Sequence, residues 1–272
     1  MSNQGRQIRS YSIPRASVRS QVSKHGRVRG TGSSAAACCL VPMKKQGLIL
    51  DKVVLLGRTL DEYRRYFALD LERLRARPIL DVASGVSSFC VEANRLGLDV
   101  TAFDAIYDLP PDEIHERCVR DLDQVTHAIG GLQTYRWDFY KSAENLRQFR
   151  ERAYRAFLDD YREHRKERYV AGHLPKLPFG GGQYDLTLVS YFLLVYEDQF
   201  DYEFHKQSLL EIMRVTRGEA RLYPLVTFEA TRCSYLDLFK TDTDLGHLGF
   251  EEVRTDFEFL LNSNYYLRVV RR

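Results

Sequence analysis

The chain has 272 residues, which is enough for one large domain or two small ones with a sizeable core. Hydrophobic residues make up 44% and charged residues 28%, and no apolar run approaches the roughly 18 residues of a membrane helix. These values exclude a disulfide-stapled miniprotein and a fibre, and they predict a soluble globular protein. The net charge of +3 is unevenly distributed along the chain.

Residues 1–50 form a basic tail that contains nine Lys or Arg, eight Ser and no Asp or Glu. Without periodic apolar spacing, this composition predicts disorder. It is typical of a transit peptide or of a nucleic-acid-binding arm. It is equally typical of a miscalled leader, with Met43 or a nearby codon as the true start. A secretory signal is disfavoured because the only apolar run, residues 35–43, comes too late.

Five cysteines are present: Cys38, Cys39, Cys90, Cys118 and Cys233. Their number is odd, and neither C-x-x-C spacing nor a companion histidine cluster accompanies them. The sequence therefore predicts neither a disulfide framework nor a metal site. Isolated thiols are typical of a reducing compartment, and we expect the cytoplasm.

Beyond the tail, short apolar runs alternate with longer helical patterns, which predicts an α/β domain over 51–272 with a mostly parallel sheet. Thr59-Leu-Asp-Glu62 is a capping box that opens the first helix. Further helices are predicted after Gly85, over 111–129 and 143–170, around 208–216, and over 235–248. Strands are predicted over 78–83, 99–104, 133–137, 184–190, 220–226, 251–259 and 265–270.

The last two strands are joined through Asn262-Ser-Asn264, a hairpin signal that makes the final strand antiparallel. The charged helical stretch over 143–170 then falls between the third and fourth strands. We therefore expect a helical insertion at about 141–172.

The most informative constellation is Asp81-Val-Ala-Ser-Gly-Val-Ser-Ser88 after the first strand, together with Asp104 at the end of the second. In open α/β sheets a ligand sits at the carboxyl ends of the strands, where a turn of small residues lets backbone N–H groups approach it. A carboxylate ending the second strand suits the paired hydroxyls of a ribose. A dinucleotide is disfavoured because two glycines of G-x-G-x-x-G are missing and Asp81 would repel a diphosphate.

Six segments of the chain resemble, in order, the motifs of the class I S-adenosylmethionine-dependent methyltransferases. They are Ile79-Leu-Asp-Val-Ala-Ser-Gly85, Val100-Thr-Ala-Phe-Asp104, Leu177-Pro-Phe179, Tyr184-Asp-Leu-Thr-Leu-Val-Ser190, Leu210-Glu-Ile-Met-Arg-Val-Thr-Arg-Gly218 and Leu248-Gly-Phe-Glu-Glu-Val253. The resemblance spans about 78–272. It implies a doubly wound, Rossmann-like sheet of seven strands with a reversed last strand, and S-adenosyl-L-methionine as the cofactor.

The resemblance also implies roles for individual residues. Asp81, Ala83 and Gly85 fall on the loop that meets the methionine part of the cofactor, and Asp104 falls on the ribose-binding acid. Trp137 and Asp138 fall at the adenine contact, while Ser190 and Tyr191 line the cleft for cofactor and acceptor. Ala83 and Ser87 depart from the family pattern because they replace its first and third loop glycines.

Acceptor chemistry stays open because the family's N-P-P-Y type signature is absent after the fourth strand. The candidates for catalytic work are Tyr191, Tyr196, Glu197 and His205, of which only the histidine would be a base near neutral pH. Arg58 precedes the core and would reach the carboxylate of the cofactor or an anionic acceptor.

We therefore expect a methyltransferase that acts on a small molecule, since no appended recognition domain is evident. One alternative is a binding module that has lost catalysis. Another is an RNA methyltransferase that uses the basic tail and the arginines of 143–170, although mixed charges at helical spacing favour a solvated face. The sequence indicates no membrane partner and no particular oligomeric state.

Overall fold

A computed structural model describes Leu48, Leu50 and residues 53–272. The predicted tail, with Cys38 and Cys39, lies almost wholly outside these residues. The described chain contains one seven-stranded sheet. Its strands are β1 (Pro78–Val82), β2 (Asp99–Asp104), β3 (Tyr169–Ala171), β4 (Tyr184–Ser190), β5 (Thr216–Tyr223), β6 (Leu248–Arg254) and β7 (Tyr265–Arg271).

The helices are α1 (Leu60–Tyr66), α2 (Phe89–Arg95), α3 (Pro111–Ile129), α4 (Ala143–Arg168), α5 (Tyr202–Val215) and α6 (Tyr235–Thr241). The predicted capping box is confirmed at α1, where Thr59 and Glu62 exchange side-chain and backbone hydrogen bonds. The predicted helix over 111–129 is confirmed as α3, which has proline at its first position, where no intrahelical amide bond is lost. None of the helices in the described ranges is long and apolar enough to cross a membrane.

The strand order across the sheet is β3-β2-β1-β4-β5-β7-β6. The first five strands are parallel, and β7 runs antiparallel to both β5 and β6. Six of the seven residues of the central strand β4 are buried, because a parallel sheet is covered on both faces. This is the doubly wound sheet with a reversed last strand that the family resemblance implies, so the expected fold is confirmed.

The predicted third strand over 133–137 is wrong. Tyr135 makes only an isolated antiparallel bridge with Leu260, and the Arg136 amide donates to the Phe259 carbonyl at 2.6 Å. These residues therefore pack against the connection between β6 and β7 and not beside β2. The position beside β2 is taken by the three-residue strand β3, which is too short to give an alternating pattern.

The predicted place of the helical insertion is also wrong, because α4 precedes β3 and therefore lies between the second and third strands. Its amphipathic pattern is confirmed. Phe157 and Tyr161 are buried and stack at 5.2 Å between ring centroids. Both rings also contact Tyr107 and the first residue of β3, Tyr169. This aromatic cluster holds the long helix against the edge of the sheet.

Candidate functional site

A cavity of about 1020 Å³ opens where the carboxyl ends of β1, β2 and β4 meet. This is the edge at which open α/β sheets bind ligands. The volume lies at the upper end of the roughly 300–1,000 Å³ typical of small-molecule sites. Its lining comes from residues 53–56, Arg58, residues 83–87, residues 104–106, residues 108–110, Glu113, Arg117, residues 190–192, Tyr196 and Phe228.

The turn after β1 has the backbone that close approach to a ligand requires. Ala83 has a φ of +54° and Gly85 a φ of +56°, both in the left-handed region that favours glycine. Ala83 therefore adopts a conformation that favours glycine despite its methyl group. Ser87, at the other substituted glycine, accepts a hydrogen bond through its Oγ from the Arg58 amide at 3.2 Å. Serine at position 87 thus provides a hydrogen bond that connects the turn to residue 58, which precedes the first helix.

Asp104 lies at the end of β2 and lines the cavity directly beside this turn. Its Oδ2 accepts from the Gly85 amide at 2.9 Å, and its Oδ1 accepts from the Ile106 amide at 3.0 Å. Burial raises the pKa of the Asp104 carboxyl, while the backbone hydrogen bonds act to lower it. Each carboxylate oxygen can accept a further hydrogen bond, so the group is able to take two hydroxyls from the cavity side.

Asp81 does not line the cavity. The carboxyl group is fully buried behind the turn, where it accepts from Ser84 Oγ at 2.6 Å and from the Tyr63 hydroxyl at 3.0 Å. Burial raises the pKa of the Asp81 carboxyl to about 7, and neighbouring Asp104 adds to the rise. The geometry gives Asp81 a supporting position under the turn, with Ser84 between it and the cavity.

Ser190 and Tyr191 form the β4 side of the cavity. Ser190 is 8% exposed, and its Oγ is buried without a hydrogen-bond partner among the described residues. Tyr191 has a φ of +50°, which is unusual for a bulky residue, and its amide donates to the Tyr223 carbonyl at 2.7 Å. Such strain is typical of functional sites. The wall of the cavity at the end of β4 thus combines an unsatisfied buried hydroxyl with a strained backbone.

The N-terminal segment, residues 53–58, covers one side of the cavity and is held by α3. Arg117 Nη2 donates to the Val53 carbonyl at 2.8 Å, and the Leu55 amide donates to Asp121 Oδ2 at 2.9 Å. The two side chains also pair with each other at 3.5 Å. Both contacts are made to backbone atoms of the segment.

Two further contacts hold the same segment from the sheet side. The Val54 amide donates to the hydroxyl of Tyr196 at 3.3 Å, and the Ser88 amide donates to the Arg58 carbonyl at 2.9 Å. The predicted candidate Tyr196 thus lines the cavity and also positions this segment.

A buried ion pair connects α4, α1 and the N-terminal segment. Arg150 Nη1 contacts Glu62 Oε1 at 2.6 Å and donates to the Gly57 carbonyl at 2.9 Å, while Nη2 donates to the Tyr140 hydroxyl at 2.7 Å. Burial alone would raise the pKa of Glu62, but Arg150 and its hydrogen bonds hold that pKa below its usual value. A Cβ on Gly57 would lie 2.4 Å from the Val86 carbonyl oxygen, so this packing requires glycine.

Besides Asp81, four predicted site residues lie outside the cavity lining. Trp137 packs edge-on against Phe259, and Asp138 is exposed beside Arg136. Both belong to the segment that does not form a strand, which removes the basis for placing them at an adenine contact. The hydrogen bond from the Arg136 amide to the Phe259 carbonyl holds this segment against the connection between β6 and β7. These strands lie at the opposite edge of the sheet from β3 and β2.

The other two residues, Glu197 and His205, make hydrogen-bonding contacts within the fold and away from the cavity. Glu197 accepts from the Ser234 amide at 2.9 Å at the start of α6. His205 is fully buried, with Nδ1 2.8 Å from the Asp201 carbonyl and Nε2 2.7 Å from the Leu193 carbonyl. Burial lowers the pKa of the imidazole. Because both ring nitrogens face main-chain carbonyls and not the cavity, His205 is not placed to act as a base there.

Sequence reasoning missed several lining residues, above all Val54, Leu56, Arg117 and Phe228. Three of them are apolar and occur in stretches without helical or strand periodicity, so nothing in the pattern indicates that they face a ligand. Arg117 was detectable in part, because it stands four residues before Asp121 on a predicted helix.

The charged face of α4 is engaged in ion pairs. Arg147 contacts Asp123 at 2.6 Å and Glu151 at 3.0 Å, and Arg162 contacts Asp159 at 3.3 Å. These contacts support the interpretation of this face as a solvated surface. Over residues 53–272, no group of three or more His, Cys, Asp or Glu is arranged to hold a metal ion.

No family model matches the chain. The fold resembles solved structures at low identity. A putative S-adenosyl-L-methionine-dependent methyltransferase from Methanococcus maripaludis is 11% identical, covers 78% of this chain and 83% of its own, and has a TM-score of 0.37. The magnesium protoporphyrin IX methyltransferase of Synechocystis PCC 6803 is 13% identical, covers 78% of this chain and 78% of its own, and has a TM-score of 0.41. These likenesses are distant, and the fold assignment stands on the strand order.

A much nearer relative is found by sequence. Uncharacterized protein MJ0045 of Methanocaldococcus jannaschii is 37% identical over 227 residues, which cover 83% of this chain and 99% of the relative. An alignment of this identity and extent includes most of the described domain. The chain therefore belongs to the same protein family as MJ0045.

Proposed function

We propose that the protein is an S-adenosylmethionine-dependent methyltransferase that acts on a small-molecule acceptor. The observation that carries the proposal is the position of Asp104, which faces a large cavity at the end of β2 beside the small-residue turn of β1. A carboxylate there suits the two hydroxyls of a ribose. The acids Asp104, Asp108 and Glu113 on this side of the cavity disfavour a diphosphate and hence a dinucleotide.

The residues present fit this cofactor. Asp104 would hold the ribose, Ile106 and Leu109 offer apolar contact for a base, and the turn of Ala83 and Gly85 admits the aliphatic part. When bound, S-adenosylmethionine supplies a methyl group on a sulfonium sulfur. Because charge disperses during such a transfer, the protein mainly orients the acceptor and excludes water.

The acceptor half of the site would be formed by Ser190, Tyr191 and Tyr196 with the N-terminal segment. This segment covers one side of the cavity, which favours a small acceptor over a macromolecule. His205 does not line the cavity, so catalysis in this proposal rests on positioning. The cytoplasm stays our prediction for its compartment, supported by buried free thiols at Cys90, Cys118 and Cys233.

Isothermal titration with S-adenosylhomocysteine tests the cofactor site. We expect binding to the native protein and a loss of about tenfold or more in Asp104→Ala, because two charge-assisted hydrogen bonds of about 1.5–3 kcal/mol are removed. Asp104→Asn keeps the size and shape of the side chain but removes its charge. It therefore separates the effect of lost charge from that of a collapsed turn. Asp159→Ala, on the exposed face of α4, serves as the matched control.

Unchanged affinity in both Asp104 variants would contradict the ribose contact. A protein that binds the cofactor but releases no S-adenosylhomocysteine with any acceptor offered would instead support the alternative of an inactive binding module.

A further inference from the structure

The cavity divides into two halves of opposite charge. On one side are three acids: Asp104 at the end of β2, Asp108 just after it, and Glu113 in the first turn of α3. Two arginines line the same cavity. Arg117 is committed to Asp121 and to the Val53 carbonyl and thus serves the N-terminal segment, which leaves Arg58 as the cation directed to the β4 side.

The buried Glu62 carboxylate, which is paired with Arg150, also interacts with the charge of Arg58, but Arg58 makes no ion pair of its own within the described part of the chain. Its guanidinium lies over the Tyr191 ring, 4.3 Å from the centroid, and Nη1 donates to the Leu56 carbonyl. Among residues 53–272 no carboxylate lies within ion-pair distance of it, and its buried Nε has no hydrogen-bond partner. A buried guanidinium donor without an acceptor is costly unless a ligand supplies one.

A second donor without a partner lies on the same wall. Ser190 immediately precedes Tyr191, and its buried Oγ also lacks a partner among the described residues. A guanidinium N–H and a hydroxyl are both satisfied by one acceptor-only group, and the best match is a carboxylate. These two orphaned donors therefore indicate an anionic ligand group at the end of β4.

The surfaces next to these donors are flat and apolar. Tyr191, Phe192, Tyr196 and Phe228 line this half of the cavity, and Tyr196 meets Phe228 edge to face at 5.1 Å. Aromatic walls of this kind favour a planar ring system in offset or edge contact. Val54 and Leu56 of the N-terminal segment provide apolar contact beside them.

We propose that the β4 half of the cavity binds a planar organic carboxylate as the methyl acceptor, with Arg58 and Ser190 holding the carboxylate. Arg58 is then the residue that determines acceptor specificity. This inference rests on the proposed function, because it assigns the other half of the cavity to the cofactor.

Calorimetric titration of the protein saturated with S-adenosylhomocysteine tests the proposal without requiring turnover. The probes are cinnamate and cinnamamide, which share a planar shape and differ in charge. We expect cinnamate to bind at least about tenfold more tightly to the native protein. That preference is lost in Arg58→Gln and partly kept in Arg58→Lys, while the affinity for S-adenosylhomocysteine stays within about twofold.

The matched control is Arg65→Gln, because Arg65 also lies over an aromatic ring, that of Phe139, but outside the cavity. Thermal unfolding verifies that each variant is folded. Equal binding of the two probes to the native protein, or no binding of either, overturns the proposal. So does a loss of S-adenosylhomocysteine affinity in Arg58→Gln of more than about tenfold, since Arg58 would then hold the carboxylate of the cofactor. Failure of S-adenosylhomocysteine to bind the native protein is a different result, which rejects the proposed function itself.

Discussion

Asp81, the penultimate residue of β1, has a carboxyl group that is buried but not paired with a cation. Tyr63 and Ser84 donate to it, and burial nevertheless raises its pKa to about 7. In the unfolded chain the same carboxyl titrates near its ordinary value of about 4. The folded protein therefore binds a proton that the unfolded chain has already released across this interval.

This difference predicts a pH dependence of stability. Because the folded state holds more protons between about pH 4 and pH 7, the contribution of Asp81 to the free energy of unfolding falls as the pH rises through that window. Above about pH 7 it is constant. Urea unfolding of the native protein and of Asp81→Asn, compared at each pH, measures the contribution as a difference. If the free energy of unfolding of the native protein minus that of Asp81→Asn rises with pH in this window, the raised pKa of Asp81 is contradicted.

Among single residues, Asp104 was predictable because a carboxylate that ends a strand carries its own chemical signal. Arg58 was recognised as a candidate, but its stacking on Tyr191 was not, since those residues lie far apart in the chain. Trp137 and Asp138 were misplaced for the converse reason. Their assignment depended on a strand whose partner the local pattern does not specify.

At the scale of elements, α4 does more than cover the edge of the sheet. Through Arg150 it contacts Glu62 of α1 and the backbone of the N-terminal segment. The pair is almost completely buried, so removing one partner leaves an uncompensated charge. The helix thus links the packing of the core to the position of the cavity wall.

We predict that Arg150→Met lowers the free energy of unfolding by about 3–5 kcal/mol, because it strands the Glu62 carboxylate. Arg152→Met, two residues along the same helix and exposed, should cost about 1 kcal/mol or less. Urea denaturation measures both variants. A similar loss of unfolding free energy in both variants would show that the buried ion pair contributes no more to stability than an exposed arginine does.

The strands β2 and β4 were predictable because each is a short, largely apolar run with clear boundaries, and the helix α3 because its apolar residues recur with helical spacing. The strand β3 was not, since it has three residues and directly follows a long helix. The boundary between α6 and β6 was blurred for a similar reason. The helical pattern of 235–248 includes a short 3₁₀ turn, Thr243–Leu245, and the first residue of the strand.

At the scale of the whole molecule, a cavity of about 1020 Å³ with unsatisfied polar atoms makes stability dependent on what occupies it. A ligand that binds only the folded state raises the free energy of unfolding by about 2.7 kcal/mol at a hundred times its dissociation constant. The cavity is thus expected to couple cofactor binding to resistance against unfolding.

We predict that saturating S-adenosylhomocysteine raises the melting temperature and that NAD does not, because the acids Asp104, Asp108 and Glu113 repel a diphosphate. Thermal unfolding with each ligand at equal concentration provides the measurement. Comparable stabilisation by NAD would reject the mononucleoside interpretation of the site.

The manner in which the N-terminal segment is anchored has an evolutionary consequence. Its main-chain atoms hydrogen-bond to the side chains of Arg117, Asp121 and Tyr196. The residues Val54 and Leu56 of the segment line the cavity. Main-chain attachment is indifferent to which side chain each residue carries. The residues at these two positions can therefore be exchanged, and the shape of the cavity changed with them, without altering the hydrogen bonds that hold the segment.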